Sequence, residues 1–360
     1  MTRPLRPEDR EVLRARGARA NTAGRFEAHA AEAVDDGWQA EPGAAPATEI
    51  TEERPRRAIT RNDSPDIPFE RSLNPYRGCE HGCIYCYARP THAWLGLSPG
   101  LDFETRLIAR PEMPDVLARE LARPGYTPAP IAIGTTTDPY QPAERDRGLM
   151  RAVLRVLADH RHPLTITTRG ALIERDLDIL APMAAEGLVH VAISLTTLDA
   201  GLARRMEPRA PAPARRITAI RRLSAAGVPV RAMIAPVIPA LTDHEIEALL
   251  AEAAGAGARA ADWTLLRLPH EVAALFSEWL ADARPDRAGR VMNRLREMRG
   301  GRDNDPRFGV RMRGEGVHAE LLDRRFHIAR RRLGLADGLP ALRRDLFAVP
   351  PRAGDQLSLF

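Results

Sequence analysis

The 360-residue chain contains no lysine and only three cysteines, and aromatic residues make up 5% of it. The three thiols, an odd number confined to residues 79–86, leave no disulfide framework to count. They point instead to a metal centre in a reducing compartment. No apolar run approaches the length of a membrane span, and the N-terminal MTRPLRPEDR has no apolar signal core, so a cytoplasmic protein without membrane attachment is expected. The missing lysine reflects GC-rich codon use, so the choice of arginine is not in itself a sign of phosphate recognition. What is present is 44% hydrophobic and 28% charged residues with 31 Pro and 26 Gly, enough for one large domain or two ordinary ones.

The net charge of +5 is unevenly placed. Between Arg284 and Arg332 there are 15 arginines against 7 acidic residues, while the rest of the chain has 38 against 41. This late segment fits a solvated helical face and a nucleic-acid surface about equally well.

Residues 1–60, rich in Ala, Glu, Arg and Pro, are expected to form a mostly disordered leader without chemistry. From Ser72, β-rich runs alternate with helical patterns. The strand candidates are Ser72–Tyr76, Ile131–Thr137, Leu164–Thr168, Leu188–Thr196, Val228–Val237 and Asp262–Leu268, several of them apolar enough for burial on both faces. Helical patterns fall at Arg147–His160, Leu177–Ala185, Arg215–Ala225 and Asp243–Ala254, with Gly187 and Gly227 placed as C-caps. Repetition of this unit gives an α/β fold, either a doubly wound sheet or a β/α barrel. Residues 61–269 form this unit. Residues 270–335 form a basic helical extension with helices around Glu271–Ala283, Ala288–Arg299 and Ala319–Leu333, and residues 336–360 form a flexible tail.

The most informative stretch is Asn74-Pro75-Tyr76-Arg77-Gly78-Cys79-Glu80-His81-Gly82-Cys83-Ile84-Tyr85-Cys86-Tyr87. Its three thiols sit at i, i+4 and i+7 in one glycine-containing hook. Zinc would need a fourth ligand, for which His81 is available, but structural zinc sites usually pair two separated hooks. Three thiolates on a four-iron cube leave one iron open to a small molecule. A purely structural cysteine knot is the alternative.

This CxxxCxxC spacing, with an aromatic before the last Cys, resembles the signature of the radical S-adenosylmethionine (SAM) enzymes. In that superfamily a [4Fe–4S] cluster cleaves SAM to a 5′-deoxyadenosyl radical, the fold is a partial (β/α)6 barrel, and a flavodoxin or ferredoxin supplies the electron. Residues from Arg61 to Leu335 resemble the subfamily related to spore photoproduct lyase, a DNA-repair group. The run from Asn74 to Arg106 is closer to its uncharacterised relatives.

The resemblance implies Cys79, Cys83 and Cys86 as cluster ligands and several SAM contacts at strand ends. Tyr85 would present its backbone to the adenine and Thr136 a hydroxyl near SAM. Arg169 would take the SAM carboxylate, Ser194 would lie near the ribose and methionine, and Ala235-Pro236 would close over the adenine. One position departs from the lyase: Thr135 stands where it has a hydrogen-donating cysteine, and a threonine O–H bond is too strong for that role. No thiol outside the hook could replace it. Among weaker candidates, His81 and His92 could serve the cluster, Glu144 is expected to cap a helix, Asp138 is left open, and Tyr140 and Trp94 are expected to be packing residues.

Gln356-Leu357-Ser358-Leu359-Phe360 resembles the peptide by which bacterial replication and repair proteins dock on the DNA sliding clamp. Gln356 would bond backbone, and Leu357, Leu359 and Phe360 would fill apolar pockets. A terminal packing strap is the other reading. Taken together, the leading expectation is a radical SAM enzyme acting on nucleic acid, with DNA repair or modification as its role. The alternatives are the same chemistry on RNA, a peptide or a small molecule, and a non-catalytic iron–sulfur protein associated with nucleic acid.

Overall fold

Branched apolar residues alternate with small or polar ones through most of the β runs, which selects strands with one face against helices and one face left partly open. A computed structural model describes residues 16–19, 21–26 and 47–351. Its strands are β1 (Glu49–Glu52), β2 (Thr60–Arg61), β3 (Arg71–Leu73), β4 (Tyr76–Arg77), β5 (Arg106–Ala109), β6 (Ile131–Ile133), β7 (Leu164–Thr168), β8 (Val189–Leu195), β9 (Val230–Val237) and β10 (Ala260–Leu265).

The main sheet runs β10-β9-β8-β7-β6-β3-β2. Its six strands from β3 to β10 are parallel, and β2 closes the edge antiparallel to β3. Because the parallel strands follow chain order without a reversal, the sheet has no topological switch point. It is therefore singly wound, as in an open barrel, and the doubly wound alternative is excluded. A second sheet, β1-β5-β4, flanks the thiol hook.

The central helices are α1 (Met113–Leu121), α2 (Leu149–Asp159), α3 (Leu177–Ala185), α4 (Pro213–Ala225) and α5 (Ile246–Gly255). In α2, Leu149, Met150, Val153, Leu154 and Leu157 recur at helical spacing and are buried. On β8, Val189, Val191, Ile193 and Leu195 are buried, while His190 and Ala192 between them are only half-buried. β9 alternates likewise, with Arg231, Met233 and Ala235 half-buried. Burial on both faces, expected for several strands, therefore does not hold for these: the second face is only half-buried.

Strand and helix bounds differ from the expected ones mainly at loops. β6 stops at Ile133 because Gly134 turns with φ +89°, and a Cβ there would lie 2.0 Å from the Thr167 carbonyl oxygen. Tyr76 leaves the first barrel strand and pairs with β5 in the second sheet. Gly187 and Gly227 take the positive φ of helix ends, 72° and 82°.

The described part of the leader is not free of the fold. Gly17 and Ala18 donate backbone N–H bonds to the Glu104 carboxylate, both at 2.8 Å, and β1 pairs with β5. Beyond β10 lie α6 (Val272–Ala283), α7 (Ala288–Glu297) and α8 (Val317–Arg332). Many arginines of this basic segment are internally engaged. Arg311 binds Asp66, Arg313 binds Asp262, and Arg299 caps the carbonyls of Leu266 and Arg311, both at 2.7 Å.

The chain after residue 336 is also partly docked: Ala348 N–H binds the His160 carbonyl, and Phe347 packs on Tyr126, His160 and His162. Gln356, Leu357, Leu359 and Phe360 lie outside the described residues. Among the described residues, no helix is long and apolar enough to cross a membrane.

Candidate cluster and cofactor site

The hook from Gly78 to Cys86 follows β4 and sits at the C-terminal ends of the parallel strands, and its shape depends on two glycines. Gly78 and Gly82 have φ of 77° and 67°. A Cβ on Gly78 would fall 2.9 Å from the Phe103 carbonyl, and one on Gly82 would fall 2.5 Å from Glu104 Oε2. Beneath the hook, Arg89 and Glu104 form a fully buried ion pair. Arg89 also donates to the carbonyls of Cys83 (2.9 Å), Gly82 (3.2 Å) and Gly100 (2.9 Å). A buried guanidinium with its donors satisfied in this way fixes backbone rather than touching a ligand.

Cys79 and Cys83 are buried and Cys86 is half-buried, all with free thiols. Burial pushes the Cys83 thiol up to about 12, against the attraction of the Arg169 guanidinium. Among the described residues, no group of three His, Cys, Asp or Glu is gathered as it would be around a single ion. A four-iron, four-sulfide cube is larger and takes thiols set further apart. His81, the possible fourth zinc ligand, turns its Nδ1 to Asp138 Oδ2 at 3.4 Å. The donor set thus fits an iron–sulfur cube better than a closed zinc site.

Asp138 organises the next two strand ends. It accepts from the Thr168 hydroxyl (2.6 Å), the Arg169 N–H (2.8 Å) and the Tyr140 N–H (2.9 Å). Burial alone would raise its carboxyl, but His81 and these donors hold it well below the usual carboxylate range. Arg169 is thereby aimed inward, with Nη1 2.9 Å from Cys83 Sγ and its guanidinium 5.8 Å from the Tyr85 ring centre. Its Nε is shut off from solvent and has no hydrogen-bond partner.

Glu207, which sequence reasoning missed, sits at the middle of the site. Fully buried at the end of the short helix Ala200–Met206, it accepts from the Tyr85 hydroxyl, from Thr196 Oγ1 (3.0 Å) and from Arg216. Arg169 Nε lies 4.0 Å away. Against the upward push of burial, Arg216 and Arg169 bring Glu207 down to about 2. Thr196 Oγ1 also lies 3.2 Å from the Ala235 carbonyl oxygen, and Arg216 donates to the carbonyl of Ser194 (3.3 Å).

One network therefore joins Cys83, Tyr85, Arg169, Ser194 and Ala235. The half-buried Pro236 follows through a cis peptide. Thr136 is exposed on the loop after β6, its N–H bound to Asn74 Oδ1 at 3.2 Å. A lone glutamate far along the chain has no local pattern to mark it, so only the fold could reveal Glu207.

Other expectations change. Glu144 does not cap its helix; its carboxylate accepts from the Tyr76 hydroxyl (2.5 Å) and Arg175 (2.7 Å). Trp94 is not core: it is 71% exposed and packs on Phe26. His92 bonds the Arg106 carbonyl at 3.0 Å and packs on Phe103. Tyr140 is a buried packing residue as expected, bonded to Asp176 at 3.2 Å.

This is an open-barrel α/β protein with its reactive groups at the strand ends. It belongs to the Radical SAM superfamily, which it matches over residues 73–253. It is 40% identical to an uncharacterized protein of Mycobacterium tuberculosis over 234 residues, 64% of this chain and 68% of that one. An uncharacterized protein of Methanocaldococcus jannaschii is 28% identical over 173 residues, 48% of this chain and 62% of that one. In fold it is similar to a spore photoproduct lyase solved with a dinucleoside spore photoproduct, with a TM-score of 0.58 and 15% identity over 79% of this chain and 80% of that one. A lyase mutant with bound AdoMet and the same dinucleoside matches with a TM-score of 0.50 and 15% identity over 65% and 67% of the two chains. The chain is a radical SAM enzyme, and the cofactors of that superfamily are a [4Fe–4S] cluster and SAM.

Proposed function

We propose that Cys79, Cys83 and Cys86 hold the cluster, that Tyr85, Thr136, Arg169, Ser194, Ala235 and Pro236 bind SAM, and that the substrate is a nucleic acid, with DNA repair or modification as the setting. The observation that carries this reading is Arg169, whose backbone N–H is fixed by Asp138 and whose guanidinium lies against the thiol hook. There a forked cation meets the metal donors at the place where an amino-acid carboxylate must lose water. A cluster held by Cys79, Cys83 and Cys86 would supply the electron for reductive cleavage of SAM, the chemistry by which this superfamily takes a hydrogen atom from substrate. Arg169 orients the carboxylate, Ser194 borders the ribose, and the Ala235 turn covers the adenine. Low-potential flavodoxin or ferredoxin is the electron source, and the compartment is the cytoplasm. Docking on the sliding clamp through Gln356, Leu357, Leu359 and Phe360 belongs to the same repair setting.

The lyase's own route is not part of this reading. Thr135 holds the position of the donor cysteine, and its hydroxyl accepts from Asn74 at 2.9 Å. The test uses anaerobic, reconstituted protein with dithionite, SAM and deuterated DNA. Deuterium should enter 5′-deoxyadenosine, and DNA should raise its rate of release; transfer only from RNA or peptide would reject DNA as the substrate.

A further inference from the structure

Arg267 stands two residues beyond β10, the last parallel strand, so it lies at the same end of the barrel as the thiol hook. Its guanidinium is 5.6 Å from the ring centre of Tyr87, the residue after Cys86, and Tyr87 in turn donates its hydroxyl to the Thr135 carbonyl. It therefore borders the mouth of the site, one strand along from Ala235 on β9.

Few groups answer its charge. Its Nε is closed off from solvent without a partner, and Nη1 reaches only the Met312 sulfur at 3.6 Å, a weak acceptor. Among the described residues no carboxylate pairs with it. Neighbouring cations are already engaged: Arg311 with Asp66 and Ser64, Arg299 with backbone carbonyls. Burial, and then the Arg311 charge, push the Arg267 guanidinium below its ordinary value. Asp66, the carboxylate that acts on it, is already bound to Arg311, so this desolvated cation has no counter-ion of its own, and an arriving anion relieves that cost.

The surroundings narrow the kind of anion. Tyr87 is 49% exposed and Phe308 is 58% exposed, and each lies against a guanidinium. Phe308 belongs to the same segment as Met312, which Arg267 touches, and Arg311 sits 4.7 Å over its ring. Two exposed aromatic faces, Tyr87 against Arg267 and Phe308 against the neighbouring Arg311, suit a base and its phosphate, whereas a small carboxylate would use only the charge.

We propose that Arg267 and Phe308 form the seat for one nucleotide of the substrate, the guanidinium taking a phosphodiester oxygen and the ring stacking on a base. The proposal rests on the nucleic-acid reading above and assigns its contacts at the barrel mouth.

The test measures binding of the anaerobic, cluster-loaded full chain to a labelled oligonucleotide by fluorescence anisotropy across a salt series. Single-stranded DNA, duplex DNA and RNA of the same sequence form separate arms, which identify the source of the phosphate. Arg267→Ala should weaken binding about tenfold and lower the slope of log affinity against log salt by roughly one, as loss of one phosphate contact does. Arg267→Lys should keep the slope, and Phe308→Ala should weaken binding without changing it. Cluster absorbance checks folding, and if Arg267→Ala loses it, Arg267→Gln is judged by the same slope. Wild-type binding matched in affinity and slope by the Arg267 variants would overturn this seat and leave the nucleic-acid reading standing. Failure of the wild type to bind any of the three oligonucleotides would overturn both.

Discussion

Glu207 is fully buried, so its partners determine what it does. Tyr85, Thr196 and Arg216 all donate to it. Replacing it with Ala leaves the Arg216 guanidinium buried and uncompensated, a change that costs about 3–5 kcal/mol for buried pairs. Gln keeps the acceptor for Tyr85 and should keep more of the fold. Both variants should weaken SAM binding, Ala by more than about tenfold and Gln by less, because Arg169 and Ser194 are each tied to this network. Isothermal calorimetry on cluster-loaded protein measures this, and unchanged affinity in both would detach Glu207 from the SAM site. The pH dependence follows from its folded value of about 2 against an ordinary 4.5. Its stabilisation is complete above about pH 4.5 and is lost as pH falls toward 2, a change of about 3 kcal/mol for a shift of that size. Denaturant unfolding of the cluster-free chain should therefore show a steeper acid decline for wild type than for Glu207→Gln in that window.

At the scale of elements, the thiol hook is held from below rather than by its own turns. Arg89 gathers the carbonyls of Gly82, Cys83 and Gly100, and Glu104 ties Arg89 to the backbone of Gly17 and Ala18. Glu104→Ala should therefore strip iron from the protein several times faster than wild type when challenged with a chelator. Gly82→Ala should do the same through backbone strain, since it needs φ +67° and its Cβ would meet Glu104. Iron release followed by chelator absorbance checks both, and wild-type rates would show that the hook stands without this support. The hook itself was legible in sequence because three thiols in eight residues form a local pattern. Its support was not, because Arg89, Glu104 and Gly17 look like ordinary members of polar stretches and meet only through folding. The same locality explains the strands: Leu164–Thr168 matches its expected bounds, whereas the expected Ile131–Thr137 ends early at Gly134.

For the whole molecule, alternating elements left two architectures open, and chain-ordered strand pairing decides for the open barrel. The charge of the late segment was a poor guide in the other direction: its excess arginines were visible in composition, but Arg299, Arg311 and Arg313 serve the fold's own carbonyls and carboxylates. The leader and the region near residue 347 likewise looked unstructured by composition, yet they carry contacts to Glu104 and Tyr126 that no local period encodes. What unites the architecture is a set of strand ends converging on three thiols and one arginine. Its central claim is that this site holds one cube and uses it on SAM. The direct measurement is iron content and Mössbauer spectra of the anaerobically reconstituted chain, followed by 5′-deoxyadenosine yield with dithionite and SAM. The account predicts about four irons per chain in one [4Fe–4S] centre, 5′-deoxyadenosine from wild type, and loss of both in Cys83→Ala. Tightly bound zinc, or an intact cluster that yields no 5′-deoxyadenosine, would contradict it.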